Sequence, residues 1–390
     1  MSLRDYEMRK NFIVFGEPQI GSEEIHEVIE TLKSGWIGTG PKTERFEETF
    51  RKYVRAKHAV ALNSCTAGLF LALEVIGIKE GDEVITTPLT FPATGNVIIN
   101  HRAKPVFVDI KRETMNIDPD KIESKITTKT KAIIPVHFAG RPCEMNQILK
   151  IAKRHHLFII EDAAHAIEAW YRDKKIGSIG DITAFSFYAT KNITTGEGGM
   201  ITTNNKEWAE RISIKSLHGI SKDAWKRYSS EGFQPYDTLY AGYKFNMTDI
   251  QASLGIHQLA RVEKNLQIRE RHWKRYNKAF VNIQGIIIPS ESKNIKHARH
   301  VYTIILDIDR LKITRNQFVE LMKKENIGTG IHFIALHLHS YYKNTFGYKR
   351  GDFPEAEFVS DRTVSLPLSA KLTDKDVDDV ITAARKVINR

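Results

Sequence analysis

The chain has 390 residues, 41% of them hydrophobic and 27% charged, with 58 Lys and Arg against 47 Asp and Glu for a net charge of +11. That balance excludes wholesale disorder, and the length suggests two or three domains. No apolar run approaches the roughly 18 residues of a membrane span, MSLRDYEMRKNF holds no signal core, and two distant cysteines fit a reducing cytoplasm rather than a disulfide scaffold.

After an N-terminal lead, Ile25, Val28, Ile29 and Leu32 fall at i, i+3, i+4 and i+7, one face of a helix. Phe46, Phe50, Tyr53 and Val54 repeat the pattern after the Gly38-Thr39-Gly40-Pro41 break. The rhythm then changes to short apolar runs, each followed by a helical stretch. HAVAL (58–62) precedes AGLFLALEVIG, EVITT (83–87) precedes ATGNVIINH, and PVFVDI (105–110) precedes DPDKIESKI, where Pro119 suits a helix's first turn. AIIPVH (132–137) precedes EMNQILKIAKRHH, and LFIIED (157–162) follows. Further strands are predicted at ITAFSFY (182–188) and GMITT (199–203). From Met247 a long helical stretch begins, followed by VYTIILDI as a strand and KDVDDVITAARKVI as a closing helix.

Strands alternating with helices argue for an α/β chain with a mostly parallel sheet covered on both faces. The change of rhythm divides it into a large domain over 12–250 and a smaller αβ domain over 251–390. The densest basic cluster (Arg261, Lys264, Arg269, Arg271, Lys274, Arg275) is interleaved with Glu263 and Glu270 and reads as a solvated helix face.

Polar residues gather where the predicted strands end. Asn63-Ser64-Cys65-Thr66 follows the first, Pro88-Leu89-Thr90-Phe91 the second, and AIIPVH ends in His137. LFIIED ends in Asp162 with His165 close behind, and ITAFSF leads to Lys191 before Thr195-Gly196-Glu197-Gly198-Gly199. Ligands of open α/β sheets bind outside the carboxyl ends of the strands. Singly, each group has an ordinary explanation: a helix cap at Ser64 and Thr66, a structural ion pair at Asp162, a core ring at Phe91, a surface lysine at Lys191. Together they describe one ligand with a phosphate for a helix N-terminus, a planar ring with a protonated nitrogen, and an aldehyde for a lysine. That ligand is pyridoxal 5'-phosphate.

At these residues the sequence resembles the DegT/DnrJ/EryC1/StrS family of nucleotide-sugar aminotransferases. The match runs from SGWIGTGPKTERFEETF to SLPLSAKLTDKDVDDVI, and its most specific pieces are PLTFPATGNVI, PVHFAGRPCEM, EDAAHA, SFYATKNITTGEGGM and GYKFNMTDIQASLG. GIHFIALHLHSYYKNTFGYKRGDFPEAEF looks like the branch of the UDP-4-amino-4-deoxy-arabinose aminotransferase and a spore-coat polysaccharide homologue. The resemblance implies an aspartate-aminotransferase-like fold (fold type I) with a seven-stranded sheet. It implies Lys191 as the internal-aldimine lysine and proton carrier, Asp162 on the pyridinium nitrogen, and His165 beside the ring's 3′-oxygen. Ser64, Cys65 through its N–H, Thr66 and Ser186 would hold the phosphate, and Phe91 would stack on the ring. Asn246 would reach the phosphate from a partner subunit, so a homodimer with shared sites is implied. Many members have Ser-Gly-Thr where this chain has Ser64-Cys65-Thr66.

The implied reaction is a ping-pong transamination through pyridoxamine phosphate, from L-glutamate to a keto group of a nucleotide-linked sugar, C4 of a UDP sugar by the branch. Trp36, Arg227, His332 and His337 are candidate substrate contacts. His332, His337 and His339 lack a carboxylate to complete a metal site, so no metal is expected. Rival readings are a pyridoxamine-dependent sugar dehydratase, whose relatives lack the lysine found at Lys191, and a basic polyanion-binding protein without catalysis. A nicotinamide enzyme would need a GxGxxG after the first strand, which is absent.

Overall fold

A computed structural model describes residues 9–220 and 237–389. In chain order the strands of the large sheet are β1 (His58–Leu62), β2 (Glu83–Thr86), β3 (Lys104–Phe107), β4 (Thr130–Ile133) and β5 (Phe158–Asp162). A hairpin of β6 (Trp170–Tyr171) and β7 (Lys174–Lys175) intervenes before β8 (Ile182–Ser186) and β9 (Gly199–Thr203) return to the sheet. Its spatial order is β1-β9-β8-β5-β4-β2-β3, seven strands in all. Every pairing is parallel except those of β9, which runs antiparallel to both neighbours.

Alternation along the strands fills two cores. Ile85, Ile133 and Ile159 face Phe46 and Phe50 of α2 (after α1, Ser22–Lys33; α2, Pro41–Val54). Their neighbours Val84, Ala132 and Ile160 face α3 (Cys65–Val75) and α4 (Pro92–Asn100). A strand buried on both sides has no polar face, which is why these runs read as continuously apolar. The helices α5 (Met145–His155), α6 (Lys206–Ser216) and α7 (Asp249–Ala260) complete the two layers.

Beyond α8 (Val262–Phe280) lie the strands β10 (Ile286–Ile287), β11 (Ile295–Lys296), β12 (Tyr302–Leu306) and β13 (Thr363–Leu366). A second sheet, β10-β12-β13, is antiparallel. It packs with Trp273, Tyr276 and Phe280 of α8 and with Val380, Ala384 and Val387 of the closing helix Asp374–Ile388. No helix among the described residues is long and apolar enough to cross a membrane.

Four local features depart from the sequence-based expectation. DPDKIESKI forms two 3-10 turns, Pro119–Lys121 and Glu123–Lys125, the first capped by Asp118 accepting from the Asp120 N–H at 3.1 Å. The long helix after Met247 breaks at Arg261 (φ −110°, ψ 8°), whose guanidinium donates to the Gln19 carbonyl at 2.8 Å and pairs with Glu24. The cluster on α8 is not wholly solvated, because Arg269 turns inward and is buried. In α1 the apolar stripe faces out: Ile25 is 55% and Leu32 53% exposed, while Glu24 and Thr31 are buried. Glu24 is satisfied there by the Gly21 N–H at 2.9 Å, the Gln258 amide at 2.9 Å and Arg261, so the helix is held by its polar side.

Candidate active site

The carboxyl ends of β1, β2, β4, β5 and β8 open on one cavity of about 680 Å³. It is lined by Ser64, Cys65 and Thr66 after β1, by Phe91 after β2, by His137 after β4, by Asp162 and His165 at β5, and by Ser186 and Lys191 after β8. The five strand exits predicted to converge do so.

Ser64 is the N-cap of α3, and its hydroxyl accepts from the Ala67 N–H at 3.1 Å. The first-turn N–H groups of Cys65 and Thr66 have no intrahelical acceptor, as at any helix N-terminus, and suit an anion. The floor beneath them is Gly199, opposite both Leu62 and Ser186 in the sheet register. A β-carbon at 199 would stand 2.5 Å from the Cys65 nitrogen and 2.4 Å from the Ser64 carbonyl carbon. Glycine is required there for close approach of two backbones.

Asp162 is buried, and burial raises its proton affinity. Opposing that, Thr94 Oγ1 donates to Oδ2 at 2.7 Å and the Ala164 N–H donates to Oδ1 at 3.2 Å. Lys191 is pushed down to about 8 by burial, with Cys65 and Asp162 pulling the other way. A lysine so placed supplies a substantial neutral fraction near physiological pH, as a carbonyl nucleophile needs.

His165 lies over the same cavity. Its Nδ1 accepts from the Ala139 N–H at 3.2 Å, and burial, with Lys191, His300 and His332 nearby, holds the ring well below the usual imidazole range. The ring is therefore neutral with its proton on Nε2, a donor for an oxyanion. Phe91 is 61% exposed and borders the cavity instead of filling the core. These groups fit pyridoxal phosphate: a nucleophilic amine, a buried carboxylate for a ring N–H, a neutral imidazole donor and a helix N-terminus for the phosphate.

The remaining candidates separate. His332 lines the cavity, with Nδ1 2.8 Å from Ser365 Oγ, and burial pushes it down to about 3. His337 does not reach the cavity: it is fully buried with Nε2 3.0 Å from Glu357 Oε1, packed beside Phe353. His339 is half-buried with Nε2 3.3 Å from the Ile334 carbonyl, and among the described residues the three histidines share no centre. Asn246 and Trp36 lie outside the cavity lining, joined through Thr39: the Asn246 amide donates to Thr39 Oγ1 at 2.6 Å and Trp36 Nε1 to its carbonyl at 3.1 Å. Arg227 lies outside the described residues.

Sequence reasoning missed Thr94, Phe15 and Phe333, which also line the cavity. Thr94 had a readable signal, one helical turn beyond Thr90 and paired with it at 2.9 Å. Phe15 and Phe333 come from segments far apart in sequence, and nothing local marks them.

Comparison with known proteins agrees with this geometry. Residues 18–385 match the model of the DegT/DnrJ/EryC1/StrS aminotransferase family. The chain is 60% identical over 382 residues to the uncharacterized protein MJ1066 of Methanocaldococcus jannaschii, covering 98% of this chain and 99% of that one. It is 52% identical over 381 residues to the spore coat polysaccharide biosynthesis protein SpsC of Bacillus subtilis, covering 97% and 98%. Among solved structures, the PLP form of the Streptococcus pneumoniae protein Spr1654 superposes with a TM-score of 0.90 at 35% identity, covering 97% of this chain and 99% of that one. A lysine, carboxylate and helix N-terminus at one sheet edge, inside a chain matched almost end to end, place it in the DegT/DnrJ/EryC1/StrS aminotransferase family, as a pyridoxal-phosphate-dependent aminotransferase.

Proposed function

We propose that the enzyme carries an amino group from L-glutamate to a keto group of a nucleotide-linked sugar, C4 of a UDP-4-keto sugar, for cell-surface polysaccharide or glycan assembly in the cytoplasm. The observation that carries this reading is Lys191, held near neutrality at about 8 in a cavity it shares with the buried Asp162. The sugar class is supported by SpsC, whose name places it in spore coat polysaccharide biosynthesis. Bound pyridoxal phosphate supplies an aldehyde for a Schiff base and a ring that accepts carbanion electrons.

The chain's own residues do the rest. Lys191 holds the cofactor and moves the proton at the donor's Cα. Asp162 keeps a proton on the ring nitrogen, and Thr94 and the Ala164 N–H stabilise its anionic form against burial. His165 donates Nε2–H to the ring oxygen, Phe91 flanks the ring, and Ser64, Cys65, Thr66 and Ser186 hold the phosphate. His332 contacts the sugar from the cavity wall. The outward stripe of α1 (Ile25, Ile29, Leu32) buries against a second copy, which brings Asn246 to the partner's phosphate site.

Incubation with L-glutamate and a panel of UDP- and dTDP-linked 3-keto and 4-keto sugars, followed by amino-sugar and 2-oxoglutarate analysis, tests the assignment. Product from the UDP-4-keto sugar is expected. Product from a 3-keto or dTDP substrate alone would overturn the C4 or UDP assignment.

A further inference from the structure

Behind Lys191 and His165, on the side away from the cavity, lies a chain of buried polar contacts that the chemistry above does not use. Asn192, directly after the lysine, donates from Nδ2 to Glu168 Oε2 at 2.6 Å and to the Ala298 carbonyl at 3.1 Å. Its Oδ1 is 2.8 Å from His300 Nδ1. The amide's donors are committed, so Oδ1 accepts and His300 must carry its proton on Nδ1. Glu168 Oε1 pairs with the Arg269 guanidinium of α8, and that guanidinium also donates to the carbonyls of Arg299 at 3.1 Å and Ala298 at 3.3 Å. Glu168, Arg269 and His300 are all buried.

This chain reaches both cofactor-facing groups. The segment held by Arg269 and Asn192 pairs with 139–140, through Ala298 N–H to the Gly140 carbonyl at 2.9 Å and His300 N–H to the Ala139 carbonyl at 3.1 Å. The Ala139 N–H in turn fixes the His165 tautomer. The His300 ring lies 4.3 Å from the His165 ring, centroid to centroid. Gly140 has no room for a β-carbon, which would meet the His165 carbonyl oxygen at 2.8 Å and Ala298 Cβ at 2.9 Å. A fully buried ion pair with this many partners is expensive to desolvate, and a well-packed apolar substitute stabilises as well or better. Fold stability alone therefore gives a weak reason for these four groups.

We propose that Asn192, His300, Glu168 and Arg269 form one positioning unit that locks the Lys191 loop to the His165 tautomer. The inference rests on Lys191 and His165 being the cofactor-facing groups. Within the unit, His300 is the link whose loss separates positioning from folding, because asparagine at 300 can still donate to Asn192 Oδ1 while alanine cannot. The titratable and charged groups around Lys191 are Cys65, Asp162, His165, His300 and His332, with His137, Tyr188 and Glu197 on the same cavity wall and Glu168 and Arg269 behind it.

The test uses the holoenzyme and its visible cofactor absorption. Asn192→Ala, His300→Ala and His300→Asn are titrated with pH, and cofactor release into a trapping buffer is timed. Thermal melting of each apoprotein reports folding. Loss of one neutral hydrogen bond predicts about fivefold faster release for His300→Ala, and Asn192→Ala, which loses three contacts including one to the Glu168 carboxylate, is expected to release faster still; both should show a displaced pH midpoint of the visible band. His300→Asn is expected to restore both towards wild type, whatever the apoprotein melting temperatures. A wild-type band with unmoved midpoints and release rates in both alanine variants overturns the proposal alone, as does a His300→Asn variant no better than His300→Ala. A wild type that forms no visible band overturns the Lys191 assignment and this proposal with it.

Discussion

Thr94 Oγ1 meets Asp162 Oδ2 at 2.7 Å, joining the first turn of α4 to the end of β5 across 68 residues of sequence. Asp162 is buried, and this contact and the Ala164 N–H are its side-chain hydrogen bonds among the described residues. A hydrogen bond to a charged group is worth about 1.5–3 kcal/mol, so Thr94→Val should weaken cofactor binding roughly ten- to hundredfold. Thr94 holds the Asp162 proton affinity down, so its removal raises it. The acid limb of the rate profile should then move to higher pH, with Thr94→Ser close to wild type. Equilibrium dialysis and the pH profile of kcat/KM check both.

Lys191→Ala should abolish the visible absorption of the holoenzyme and all amino transfer. Retained turnover in that variant would sink the role assigned to Lys191.

The capture of cofactor by apoprotein should carry the same signature in its pH dependence. Burial lowers Lys191 from 10.5 to about 8. Only the free amine attacks a carbonyl, so the capture rate should rise with pH and level off above about 8. Stopped-flow absorbance between neutral and alkaline pH measures this. A rate still climbing steeply towards an ordinary lysine value contradicts the placement of Lys191.

Gly199→Ala forces a β-carbon against the backbone at Ser64 and Cys65, with no flexible side chain to give way. Overpacking of this kind costs about 1–3 kcal/mol, and here the strain falls on the two N–H groups offered to the phosphate. Cofactor affinity should drop about tenfold or more, at the same conversion of free energy to binding constant. Gly38→Ala, where no atom lies within 4 Å of the new carbon, is the matched control. Cys65→Ser should bind cofactor as wild type does, since only the N–H of residue 65 is used.

Ile29→Asp places a charge in the outward stripe of α1, where Ile29 is 41% exposed. Sedimentation should find monomers in place of dimers, and pyridoxal phosphate affinity should fall because Asn246 then has no partner site to reach. A variant that stays dimeric would locate the interface elsewhere.

Much of the fold was legible because the strands are buried on both faces, so runs such as AIIPVH and LFIIED stand out from the helical stretches between them. The site was legible for the same reason: an open sheet gathers its strand exits, Asp162 ends a strand, and Ser64, Phe91 and Lys191 lie within five residues of one. What escaped depends on contacts between remote segments. His337 resembles His332 in the sequence, yet Glu357 holds one in the core while the other faces the cavity. The orientation of α1 was hidden because Glu24, polar by type, is paid for by Arg261 and Gln258, and burying it turns the apolar stripe outward. Arg269 sat in a basic run that looked solvated, yet Glu168, 101 residues away, and the Ala298 and Arg299 carbonyls draw it inside.

The antiparallel course of β9 governs how the lysine is carried. The connection from Ser186 to Gly199 leaves and re-enters the sheet at one register position, so Lys191 rides on a closed arch with both feet on the same rung. The Phe187 N–H bond to the Gly198 carbonyl at 2.9 Å and the Thr195 N–H bond to the Phe187 carbonyl at 2.9 Å brace that arch from within. Inserted residues there would lift the amine off the ring, whereas the far end of β9, at Thr203 and Asn204, could be spliced or lengthened without the cofactor edge registering the change.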